Sequence, residues 1–136
     1  MKIKDWMTSK VLTVSPGTSV KEAFKIMKKN GFRHLPVVKN DKLVGFVTDR
    51  DLRRPDIADV FKEWNDLYRL SDDLHVEDVM VSKVVSCKPD EDLAKVAVQV
   101  IDKHIGAMPV VDPADKTKLV GIITVFDFLR AFAQGR

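Results

Sequence analysis

Two threonine–aspartate pairs carry most of the chemistry in this 136-residue sequence. One lies in "GFVTDRDLRR", starting at Gly45, and the other in "GIITVFDFLR", starting at Gly121. Each stretch contains G-x-x-T-x-x-D with an arginine three residues beyond the aspartate. The residues are Thr48, Asp51 and Arg54 in the first, and Thr124, Asp127 and Arg130 in the second. A hydroxyl and a carboxylate three residues apart, just before an apolar helix, have two readings. They can form a capping box, in which both side chains satisfy free backbone N–H groups. They can also face a ligand. The two roles coexist, because a threonine hydroxyl caps through one lone pair and still donates elsewhere.

Other chemistry is sparse. His75 and His104 have no cysteine or carboxylate at metal-ligand spacing, so no zinc site is expected. There is no G-x-S-x-G elbow, phosphate-binding loop or dinucleotide glycine fingerprint, and no nucleophile beside a base. The expectation is a protein without catalytic residues.

The elements that position the two pairs repeat. "DWMTSKVLTVSPGTSV" from Asp5 matches "DVMVSKVVSCKPDEDL" from Asp78, so that Met7 falls on Met80, Lys10 on Lys83 and Pro16 on Pro89. "LPVV" from Leu35 meets "MPVV" from Met108 at the same offset. A longer turn in the second half ("DPADKTK" against "KNDK") then shifts the register, and Thr48 meets Thr124.

Each half predicts β-α-β-β-α. A short extended run (Val11 to Val14, Val84 to Cys87) ends at Pro16 or Pro89. Ser19 and Glu22 form a capping box for a helix whose apolar face is Val20, Ala23, Phe24 and Met27, stopped by Asn30-Gly31. Leu93, Val96, Ala97 and Val100 take the same places in the second half. Two β-branched runs follow, Leu35 to Val38 with Leu43 to Val47, and Met108 to Val111 with Leu119 to Ile123, each pair a hairpin. A last helix starts near Thr48 or Thr124. The fold class is α/β in the α+β sense, two such repeats packed sheet to sheet with pseudo-twofold symmetry and helices outside. The boundaries are 1–54 for the first repeat, 55–74 for a helical linker and 75–133 for the second repeat. The linker stripe Val60, Phe61, Trp64, Leu67 and Tyr68 either docks on the core or forms a dimer contact.

Bulk properties narrow the class. A chain this long builds a core without disulfides or metals, and Cys87 is the sole cysteine. No secretory leader is visible at the N-terminus. No apolar run approaches the roughly 20 residues that cross a bilayer. The expected location is cytoplasmic, with no membrane partner. The net charge of +3 comes from 23 basic residues interleaved with 20 acidic ones, a pattern that argues against a nucleic-acid partner.

Taken together, "RHLPVV", "VTDRDLRR" and "IGAMPVVD" with the doubled K-L-V-G-x-x-T-x-x-D resemble the CBS domain, named after cystathionine β-synthase. Two in tandem resemble a Bateman module, and more narrowly the CBS pair of AcuB-like acetoin-utilisation proteins. Many of those carry a C-terminal ACT domain, which has no counterpart up to Arg136.

The resemblance implies an adenosine-containing ligand (AMP, ADP, ATP or S-adenosylmethionine) in clefts between the repeats, as a regulatory ligand rather than a catalytic cofactor. It places Asp51 and Asp127 on the ribose hydroxyls, where a charged acceptor makes strong bonds. Thr48 and Thr124 face phosphate, at helix N-termini that favour anions. Arg33 and His34 reach phosphate. Arg50, between Thr48 and Asp51, is either a surface residue or a further phosphate contact. The second half has Gly106 and Ala107 there, which leaves a second phosphate grip without charge. The adenine is placed near Val11, Leu12, Thr13 and Pro36, or near Val84, Val85, Ser86 and Pro109. Gly45 and Gly121 allow close backbone approach. Such modules pair through their helices into flat homodimers and regulate a partner protein that this sequence does not name. The alternative is a structural dimerisation or docking module with vestigial clefts.

Overall fold

The computed structural model of the chain describes residues 1–52 and 74–135. The linker stripe and Arg54 lie outside the described residues. The chain divides into two compact units, the contiguous Leu12–Val84 and a discontinuous one made of Met1–Val11 with Val85–Arg136.

In the contiguous unit, α1 (Val20–Asn30) precedes the antiparallel pair β1 (His34–Lys39) and β2 (Lys42–Thr48), followed by α2 (Asp49–Leu52) and α3 (Val76–Val79). Ser19 Oγ accepts from Glu22 N–H at 3.0 Å, and Gly31 closes α1 in the left-handed region at φ 69°. Asn40 and Asp41 join β1 to β2 with φ 52° and 63°. Two consecutive left-handed residues match the twist of a tight hairpin. Val20, Ala23, Phe24 and Met27 of α1 bury against Leu35, Val37 and Val47 of the sheet, with Val76 and Val79 of α3 completing the core.

The discontinuous unit repeats this with α4 (Leu93–Asp102), β3 (Ala107–Asp112), β4 (Asp115–Thr124) and α5 (Val125–Gln134). Leu93, Val96 and Val100 pack on Met108, Val110 and Ile123. Ile3, in a 3-10 turn at Ile3–Asp5, enters this core fully buried, as Val76 enters the other. The backbone contacts correspond: Ile3 N–H donates to Glu91 C=O at 3.1 Å, and Val76 N–H to Thr18 C=O at 2.8 Å. Each short segment therefore packs with a different unit from the residues that follow it in the sequence repeat. Among the described residues, no helix is long and apolar enough to cross a membrane.

Two expectations need correction. The extended runs at Val11–Val14 and Val84–Cys87 are each reduced to one bridging residue, Val14 against Val37 and Cys87 against Val110. Val14 N–H donates to Pro36 C=O at 3.0 Å and Val38 N–H to Val14 C=O at 2.8 Å. One step back along this parallel ladder, the donor to Leu12 C=O would be residue 36. Proline has no N–H, so pairing stops there. Pro109 truncates the second run in the same way. The second hairpin also differs, because "DPADKTK" is not all turn. Only Pro113 and Ala114 lie between the strands, and the extra residues enter β4 through register shifts beside Val111. Asp112 and Asp115 side chains hold the corner, accepting from Ala114 N–H at 2.8 Å and Thr117 N–H at 2.9 Å.

Candidate ligand site

Strand pairing decides which candidates meet. His34 opens β1 and Thr48 closes β2, and the two pair across the ladder. Asp49 N–H donates to Arg33 C=O at 3.0 Å. Arg33, His34, Thr48 and the first turn of α2 therefore share one end of the hairpin. There Thr48 N–H donates to Asp51 Oδ2 at 2.9 Å and Asp51 N–H to Thr48 Oγ1 at 3.1 Å. The capping box is made, yet it uses only one carboxylate oxygen and one hydroxyl lone pair. The Thr48 hydroxyl proton and Asp51 Oδ1 make no hydrogen bond with a described residue. Both side chains are half-buried.

His34 stacks on Phe46, ring centroids 6.0 Å apart and planes 24° from parallel. Burial pushes its imidazole below the ordinary 6.5, the Asp49 charge opposes that, Arg33 adds to it and Asp51 opposes it. His34 is therefore neutral at pH 7. Arg33 and Arg50 are exposed. Leu12 and Thr13, also exposed, precede the Val14 bridge and so run beside β1 toward its His34 end. Pro36 is buried within β1. Val11 closes a segment of the discontinuous unit instead.

The second copy is built alike and charged differently. Ala107 pairs with Thr124, and Val125 N–H donates to Gly106 C=O at 3.0 Å. Gly106 and Ala107 thus stand where Arg33 and His34 stand, without a charge. Thr124 N–H and Oγ1–H both donate to Asp127 Oδ2, at 2.8 and 3.3 Å, and the Arg130 guanidinium pairs with Asp127 Oδ1. Asp127 is 2% exposed with both oxygens engaged. Phe126, at the place of Arg50, is exposed. Val85 and Ser86 precede the Cys87 bridge, Pro109 is buried in β3, and Val84 closes the contiguous unit. The role of Arg130 is absent from the sequence reading. Its signal was the D-x-x-R spacing, which sets side chains three apart on one helix face.

The two glycines do permit close approach, but the neighbour is protein. A Cβ on Gly121 would lie 2.9 Å from Thr8 C=O and 2.8 Å from Met7 Sδ, and one on Gly45 would run into Met80 Sδ with Val81 C=O at 3.1 Å. Cys87 is buried, and its thiol is pushed up to about 12 by burial, with the Glu91 charge adding to it. Among the described residues, no three His, Cys, Asp or Glu side chains gather as metal ligands.

Residues 3–57 and 76–134 each match the CBS domain family. The chain is a tandem CBS-domain protein. The CBS pair of protein MJ0100, solved with 5′-methylthioadenosine and S-adenosyl-L-methionine, is 28% identical with a TM-score of 0.80, over 100% of this chain and 98% of that one. CBSX2 of Arabidopsis thaliana, solved with AMP, is 29% identical with a TM-score of 0.80, over 98% and 96%. The narrower likeness holds as well. The AcuB acetoin utilization protein of Vibrio cholerae is 30% identical with a TM-score of 0.77, over 98% and 90%. The chain spans about half or less of the length of the first curated relatives it matches, at 32–34% identity. The mixed α+β fold, with two antiparallel pairs and their helices, is that of these CBS pairs.

Proposed function

We propose that this CBS pair is a non-catalytic regulatory module that binds an adenosine nucleotide at its first repeat and passes occupancy to a homodimer or a partner protein. The observation that carries this is the convergence of Arg33, His34, Thr48 and Asp51 on one end of the β1–β2 hairpin. The ligands named for the MJ0100 pair and CBSX2 support an adenosine moiety. The charge selects within that class. Arg33 and Arg50 beside a neutral histidine attract a 5′-phosphate and repel a sulfonium cation, so AMP, ADP or ATP is favoured over S-adenosylmethionine.

Asp51 Oδ1 accepts from the ribose hydroxyls, Thr48 Oγ1–H and the Arg33 head reach phosphate, and the Leu12–Thr13 backbone left unpaired by Pro36 lies beside the base. The pairing of Asp127 with Arg130 favours the second reading for the other repeat, a structural role for Thr124 and Asp127.

A thermal melt with millimolar AMP, ADP, ATP and S-adenosylmethionine tests the proposal. Ligand at about 100 times its Kd adds about 2.7 kcal/mol, which raises Tm by several degrees for this size. A rise with the phosphate-bearing ligands is expected. No rise with any of the four overturns binding, and a rise with S-adenosylmethionine alone overturns the phosphate assignment.

The histidine gives a pH signature. A phosphate beside His34 favours the imidazolium, so binding takes up a proton, and affinity for AMP rises on acidification from about pH 7.5 to about 6, by up to roughly tenfold for one charge-assisted bond. His34→Gln flattens this relative to the parent, measured by titration calorimetry in two buffers of different ionisation enthalpy. The free protein moves the other way. Its depressed imidazole binds fewer protons folded than unfolded, so stability is lost as pH falls through the window below 6.5.

A further inference from the structure

The hairpin end that carries the charge also carries an aromatic pair that the other repeat lacks. His34 and Thr48 are partners across the β1–β2 ladder, and Phe46 lies two residues before Thr48. Side chains two apart on a strand point to the same face, so Phe46 is the diagonal neighbour of His34. Their rings, 6.0 Å apart and 24° from parallel, fall within the range of offset aromatic stacks. In the second repeat the same two places hold Ala107 and Ile122. The stack and the basic Arg33 are thus present together in one repeat and absent together from the other.

Phe46 is itself held in place. It is 8% exposed, and its backbone bridges to Val81. Phe46 N–H donates to Val81 C=O at 3.0 Å, and Val81 N–H donates to Phe46 C=O at 2.9 Å. His34 is not tied at its polar end. No described residue shares a hydrogen bond with either ring nitrogen. Among the described residues no buried side-chain nitrogen or oxygen lacks a partner, so both nitrogens open to solvent. The imidazole therefore rests on a fixed ring while its nitrogens stay available. Ordering a free side chain on binding costs affinity, and the stack lowers that cost. The charges that reach this imidazole are Asp49 and Asp51 from α2 and the adjoining Arg33. Phe46 and the bridging Val81 bring none.

We propose that Phe46 is a positioning residue for the phosphate grip of the first repeat, its ring holding the His34 imidazole in place with both nitrogens free for the ligand. This rests on the adenosine-nucleotide reading and adds the residue that sets the geometry of one phosphate contact. Without the aromatic ring the imidazole is free to turn. It is also less covered, and burial is the main cause that lowers its pKa.

Phe46→Ile tests this, because the fold accepts Ile122 at the equivalent place. Phe46→Leu serves if that variant loses its far-UV spectrum, and Phe46→Tyr keeps the ring. His34 is one of three histidines, and His34→Gln assigns its proton resonance. In Phe46→Ile the His34 titration midpoint, read by NMR on the free protein, is expected to rise. Affinity for AMP is expected to fall about two- to tenfold, the size of one aromatic pair. Proton uptake on binding AMP is expected to shrink. Phe46→Tyr is expected to restore all three, which a merely structural role would not require. An unchanged midpoint in both Phe46→Ile and Phe46→Leu overturns the proposal. So does a raised midpoint with AMP affinity and proton uptake equal to the parent's. A parent that binds none of AMP, ADP and ATP overturns the ligand reading and the phosphate contact together. The midpoint separates that failure from an imidazole that Phe46 does not hold.

Discussion

Asp51→Ala is expected to weaken adenosine-nucleotide binding by about 10- to 100-fold while lowering stability only slightly. A hydrogen bond to a charged acceptor contributes about 1.5–3 kcal/mol, and every 1.4 kcal/mol is tenfold in Kd. The proposed ribose acceptor is Oδ1, and the capping bond uses Oδ2. Loss of the cap costs about 1 kcal/mol, a few degrees in Tm. Asp127→Ala is expected to do the reverse. Its carboxylate holds Thr124 twice and Arg130 once in a buried setting, so its loss falls on stability and leaves nucleotide affinity unchanged. Titration calorimetry and a thermal melt on both variants separate the two. Unaltered affinity in Asp51→Ala would remove the ribose role from the first repeat.

Gly121→Ala is expected to destabilise the discontinuous unit by about 2–3 kcal/mol, at the upper part of the range for overpacking. The added methyl would meet Thr8 C=O, and this carbonyl cannot retreat cheaply. It accepts from Ile122 N–H at 2.9 Å, while Thr8 N–H donates to Ile122 C=O at 2.9 Å. Moving it breaks a two-bond bridge. Gly45→Ala is expected to cost less, because the nearest obstruction is the end of the flexible Met80 side chain and Val81 C=O lies farther away. Urea unfolding with an unchanged slope measures both. Equal costs at the two glycines would show that the backbone bridge is not what resists the methyl group.

Among the described residues, helices α1, α4 and α5, both hairpins and most core positions were legible because their signals are local. Ser19 and Gly31 bracket α1, and Val20, Ala23, Phe24 and Met27 bury as the periodicity predicts. The doubling made the register of Thr48 against Thr124 readable, and the pairing of His34 with Thr48 and of Ala107 with Thr124 follows it. Other features depend on neighbours remote in sequence. The bridge at Val14 ends where Pro36 withholds an N–H, a fact written 22 residues downstream. The glycines read as room for a ligand because the sequence does not reveal that Met7 and Met80 fill that space. The difference between Asp51 and Asp127 is likewise one of burial, which their shared motif conceals.

The way the units draw on the chain bears on how the protein is made. Leu12–Val84 is a continuous segment, so its partners emerge from the ribosome together and it can close before Val85–Arg136 is made. Met1–Val11 is made well before its partners, for Ile3 seats among Leu93, Met108 and Ile123, and Thr8 bridges to Ile122. Residues 1–11 therefore find their partners only after β4 has been made, and that strand fixes the turn at Ile3–Asp5 in place.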